Sequence, residues 1–176
     1  MNPLKSQLAQ TLNHLGIAFD LSTFSKRLIL QKKVYLAQVT GIDLGYRFGW
    51  YLRGPYSKSL TAEAFELVED FQQDETSVET APIGKDKRAQ LNKVKPLCEI
   101  PSGEDFEEGV WLELLASLHF LRHVAYRPAG STRDFEDTFD TMCESKPQFA
   151  KLKGHAELAW GPLNEFGLIE SRYFSA

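Results

Sequence analysis

Apolar positions between residues 27 and 40 do not gather into one stripe. At roughly 100° per residue, Leu28, Ile29, Leu30, Val34, Tyr35, Leu36, Ala37 and Val39 spread around most of a helix. Gaps remain only at Gln31 and Gln38, at Lys32, and at Lys33 and Thr40. A helix that is apolar on more than one side is buried on more than one side. This stretch is therefore expected to be the central helix of the fold. Gly41 supplies a residue that tolerates the left-handed conformation at a helix end. Tyr46 to Leu52 is aromatic-rich and reads as a strand, Gly54-Pro55 as the turn that breaks it, and Ser57 as the cap of the next helix.

The same periodicity organises the rest. Leu4, Leu8, Leu12 and Leu15 predict a helix over 3–15, opened by Asn2-Pro3 and closed by Gly16. A helix over 58–72 turns Leu60, Ala64, Leu67, Val68 and Phe71 inward, leaving Glu63, Glu66, Glu69 and Asp70 outside. Periodicity is lost from 72 to 84, which reads as a flexible loop. That loop would join an N-terminal lobe, 1–72, to a C-terminal lobe, 85–176, within one domain spanning 1–176. A short basic helix is expected from Lys85, ending before Pro96, and a long one over 105–123 with Val110, Trp111, Leu114, Leu115, Leu118 and Leu121 on one wide face. Ser131 with Asp134 resembles a capping box ahead of Phe135, Phe139 and Met142. A further helix from Phe149 to Leu158 is expected to be disturbed at Gly161-Pro162, and the tail to form a short strand. The fold class that follows is mainly α with minor β, a compact helical domain around one buried helix, with a winged-helix-like character.

Composition adds constraints. With 43% hydrophobic and 25% charged residues, the chain needs no disulfide or metal to fold. Two cysteines without a CxxC spacing suit free thiols in a reducing compartment. No apolar run approaches the ~20 residues of a membrane span and no targeting segment opens the chain, so a cytoplasmic location is expected. A net charge of -4 counts against nucleic acid as the default partner. The exception is a basic run, Lys85, Lys87, Arg88, Lys93 and Lys95, set against acidic stretches at 63–75 and 104–108 with which it is expected to pair.

Candidate chemistry is sparse. His119 and His123 stand one helical turn apart, a spacing that serves metals, but no third ligand has a recognisable spacing. They are read as a structural pair. Asp134, Glu136, Asp137 and Asp140 alternate with Phe135 and Phe139 as the solvated face of an amphipathic helix. No GxSxG, P-loop or GxGxxG occurs. The expectation is a protein without catalytic residues, cofactor or metal.

Three motifs carry a family resemblance: Leu30-Gln31-Lys32, Tyr35-Leu36-Ala37 and Gly54-Pro55-Tyr56-Ser57. Over residues 26–70 the chain resembles the SocA-like antitoxins, the Panacea domain, and related small bacterial proteins. The resemblance implies a mostly helical module that binds another protein, often a toxin, in a bacterial defence or regulatory system. Its signature residues would be Gln31, Lys32, Tyr35, Gly54, Pro55, Tyr56 and Ser57. Gln31 interrupts an otherwise apolar helix and needs buried partners, so it is expected to hold the helix against the Gly54–Ser57 turn. A second copy of the chain is a further partner the sequence allows. The alternative is a winged-helix-like DNA-binding regulator using the 85–95 basic segment.

Overall fold

The computed structural model describes residues 3–73 and 83–170. Among them are seven α-helices and one two-stranded hairpin, so the protein is mainly helical with minor β structure. No described helix is long and apolar enough to cross a membrane. The chain divides into two compact units. The first is Met1–Gly49 with Tyr56–Glu99, and the second is Trp50–Pro55 with Ile100–Ala176.

The first unit holds α1 (Pro3–His14), α2 (Phe24–Val39), α3 (Lys58–Gln73) and α4 (Lys85–Cys98). α1, α3 and α4 all pack on α2, which buries Leu30, Gln31, Lys32, Val34, Tyr35, Leu36 and Ala37. The all-round apolar pattern thus makes the central helix expected of it. Thr23 opens α2 by accepting from the Lys26 amide. Gly41, at φ 108, closes it, with Gly41 N donating to Gln38 O and Ile42 N to Ala37 O. The 85–95 segment was expected in a C-terminal lobe, but α4 packs on α1 and α2 through Leu91, Val94 and Leu97, all fully buried. The division falls after Glu99 instead. Of the expected 72–84 loop, the start belongs to α3 and residues 74–82 lie outside the described residues.

The aromatic stretch forms less strand than expected, and its Gly-Pro does the opposite of breaking it. β1 is Gly49–Tyr51, Leu52 and Arg53 make the turn, and β2 is Gly54–Tyr56. Gly54 takes φ 80, which a residue with a Cβ would adopt only with strain. Pro55 is tolerated because a two-stranded sheet has only edges, where a missing donor is harmless.

In the second unit α5 (Glu108–His123) packs against α6 (Phe135–Ser145) and α7 (Lys153–Glu165), with a 3-10 turn at Pro147–Leu152 between the last two. Every residue from Trp111 to Leu121 is buried, so α5 is surrounded and does not present the single wide face expected. Asp134, and not Ser131, caps α6, accepting from the Asp137 amide. Two prolines sit inside helices that were expected to end or falter there, Pro96 in α4 and Pro162 in α7. Each removes one amide donor, while buried side chains beyond it, Leu97 and Cys98 in one case and Leu163 in the other, carry the helix on. Phe166–Ile169 is a turn through Gly167 at φ 68, and the tail 171–176, where the terminal strand was expected, lies outside the described residues.

Candidate functional site

The signature residues of the first unit are assembled by two glutamines. Gln31 Nε2 donates to Ser57 O at 2.9 Å, and its Oε1 accepts from Ser57 N at 2.9 Å. One amide side chain therefore pairs with a residue as a neighbouring strand would. Gln38, seven residues on and so on the same side of α2, repeats this with Tyr46, both bonds at 2.9 Å. The segment from 46 to 57 is thus anchored at both ends on the central helix. Gln31 also donates to Thr61 Oγ1 at 2.8 Å, and that hydroxyl donates to Tyr56 Oη at 2.8 Å. Ser57 Oγ accepts from Leu60 N at the start of α3, the capping role expected of it. Lys32 and Tyr35 are buried on α2, and burial holds the Tyr35 hydroxyl well above its usual pKa. The polar atoms of Gln31, Gln38, Ser57 and Thr61 named here are satisfied internally, which is the condition of a fold-specifying core. Gly54 and Pro55 belong to the second unit. Gln38 could have been found from its heptad spacing to Gln31.

The hairpin tip lies in the second unit over a buried ion pair. Lys146 Nζ donates to Glu113 Oε1 at 2.9 Å, with the two side chains 3% and 1% exposed. Arg53 Nη1 reaches Glu113 Oε2 at 3.4 Å. Trp50 stacks on Phe120 at 5.7 Å, and Lys146 Nζ stands 4.6 Å from the Trp50 ring centre. Burial lowers the Lys146 pKa, and Glu113 opposes that by holding the ammonium. Glu113, alone among apolar residues in VWLELL, carried a signal as a charge that must find a partner; Lys146 carried none.

His119 and His123 lie with ring centres 4.9 Å apart. Burial, and then His123, pushes His119 down to about 3; burial, and then Arg122, pushes His123 down to about 4. Both are neutral imidazoles at ordinary pH. Among the described residues no group of three or more His, Cys, Asp or Glu is placed to hold a metal ion.

The loop from α5 to α6 is built around Asp137, whose carboxylate accepts from the Arg127 guanidinium, the Ser131 hydroxyl and the Arg133 amide. The Ser131 hydroxyl and the Arg133 amide hold its pKa down against desolvation. Arg133 takes φ 54, a strained conformation for a side-chain-bearing residue, and its Nη1 donates to Arg122 O at 2.6 Å. On this frame Tyr126 stands 91% exposed and Val124 54%.

The basic segment divides. Lys87 is half-buried and faces Asp43, and burial lowers its pKa. Lys85, Arg88, Lys93 and Lys95 are exposed on the outward side of α4. The expected pairing with the 63–73 acids is not made among the described residues, where Glu66 and Asp70 serve Lys5. Comparison with family models, with curated proteins and with solved structures returns no match for this chain.

Proposed function

We infer that this chain is a non-enzymatic protein-interaction module, antitoxin-like as its central stretch suggests, that binds a toxin or effector protein. The Gln31 and Ser57 constellation is internal, so the contact surface belongs elsewhere. The observation that carries the reading is Tyr126, 91% exposed on a loop fastened through Arg127, Ser131 and Arg133 to Asp137. An aromatic held ready on a fixed frame loses little freedom when a partner covers it. Tyrosine is also among the side chains that dominate interface energies. Leu52, 82% exposed at the hairpin turn, is a second such point.

The test is capture from the native host with tagged wild type and with Tyr126→Asp. A partner retained by the wild type and weakened at least about tenfold by the variant supports the module. The antitoxin reading further requires that the captured protein arrest growth when expressed alone and that co-expression of this chain restore it. A partner without toxicity removes that reading, and a partner bound equally by both chains removes Tyr126 from the interface. The DNA-regulator reading rests on different residues, those of α4.

A further inference from the structure

The outward side of α4 concentrates positive charge that no acid among the described residues pairs with. Lys85, Arg88, Asn92 and Lys95 recur at i, i+3, i+7 and i+10, within about 80° of the helix circumference, and Lys93 flanks them. The four cations are exposed, and among the described residues none of them forms an ion pair or a side-chain hydrogen bond. Cations elsewhere are paired in several cases, though Lys58 on α3 is exposed and unpaired among the described residues. Lys5 on α1 is paired with Glu66 and Asp70, Lys26 on α2 with Asp20, and Lys153 on α7 with Glu136. The one acid on α4, Asp86, lies about 100° from Lys85, within about 20° of Lys93 and outside the arc of Lys85, Arg88 and Lys95.

We propose that this face of α4 is a docking surface for the sugar-phosphate backbone of a nucleic acid, bound without regard to sequence. Two features favour phosphates over an acidic protein. The face carries three lysines and an arginine but no exposed large apolar side chain, Ala89 being the only hydrophobic residue there. Specific protein interfaces are depleted in lysine and need an apolar anchor at their centre. Phosphate contacts need neither, only unneutralised cations at reach. From Lys85 to Lys95 the helix rises about 15 Å, enough to span two to three phosphates of one strand. The net charge of -4 limits the affinity but leaves a local field intact within a Debye length.

The experiment is fluorescence anisotropy with the full chain and a labelled duplex of about 20 base pairs, as DNA and as RNA, at rising salt. Each phosphate neutralised contributes a slope of roughly -0.9 in log K against log salt, so two to three give about -1.8 to -2.7. Raising NaCl fivefold should then weaken binding roughly 20- to 80-fold. Lys85→Glu with Arg88→Glu and Lys95→Glu should abolish binding at the lowest salt. The control, Arg47→Glu with Lys58→Glu and Lys151→Glu, changes the net charge equally at exposed positions outside α4 and should bind within a few-fold of wild type. Binding to either duplex with these slopes supports the proposal, and the DNA and RNA arms say which backbone is preferred. It is overturned by no binding at low salt, by equal loss in both triple variants, or by tighter binding of polyglutamate, which would make the face a site for an acidic polypeptide.

Discussion

At the scale of single residues, the core contrasts polar groups that are fully answered with some that are not. Gln31 answers both backbone groups of Ser57, a residue 1% exposed. Gln31→Leu keeps the volume and strands the buried Ser57 N–H, while Ser57 O keeps the Thr61 amide as a donor. The expected loss is about 1–3 kcal/mol, read as a lower denaturation midpoint with an unchanged slope. Gln38→Leu should lose less, because Gly45 and Arg47, the neighbours of Tyr46, are exposed and water can replace the side chain. Thr138 is the reverse case. It is fully buried on α6 and its Oγ1 has no hydrogen-bond partner among the described residues. Thr138→Val removes a desolvated hydroxyl at nearly constant shape and should raise stability by about 1 kcal/mol. A lower melting temperature would mean that the hydroxyl is satisfied after all.

At the scale of elements, α5 makes the protein sensitive to mild acid. His119 and His123 titrate near 6.5 when unfolded but at about 3 and about 4 in the fold. Below pH 6.5 the unfolded chain therefore binds more protons than the folded one, and stability must fall as pH falls. His119 alone contributes up to about 1.4 kcal/mol per pH unit over that window. The lowered carboxylates, Asp134 and Asp137, act only below about pH 4, so the two effects separate. Urea midpoints of wild type and His119→Gln between pH 7 and 4.5 check this. The variant curve should be flatter, and parallel curves would exclude His119 as the cause. Little of this was legible in the sequence. The i, i+4 pair was visible, but its burial depends on α5 being surrounded, and the pattern of 105–123 suggested one wide face. The same limit explains the hairpin and the prolines. Local sequence marked Gly54-Pro55, Pro96 and Pro162 as breakers, and long-range burial of Leu97 and Leu163 overrode two of them. α2 was legible because apolar residues on every side leave a helix only one place to go. The Glu113–Lys146 pair was not, since it depends on a partner that sequence spacing does not reveal.

At the scale of the whole molecule, the order of the chain and the grouping of its residues disagree, and that has a consequence. Trp50–Pro55 lies in the second unit, though the chain on either side of it belongs to the first. Its contacts there are specific: Trp50 on Phe120 and beside Lys146, and Arg53 to the buried Glu113. A cut between Glu99 and Ile100 therefore should not release residues 100–176, because the piece before the cut still supplies part of the second unit. A protease site inserted there allows the test. After complete cleavage the two pieces should co-elute on size exclusion at the size of the intact chain. Trp50→Ala with Arg53→Ala removes the half-buried ring and the outer charge, a loss smaller than the about 3–5 kcal/mol of a fully buried aromatic. With Arg53 gone, Glu113 keeps Lys146, so the variant should fold while uncut and fall apart when cut. Pieces of the wild type that separate on cleavage would show that the hairpin tip does not hold the second unit together. Pieces of the double variant that stay joined would place the holding contacts outside Trp50–Pro55.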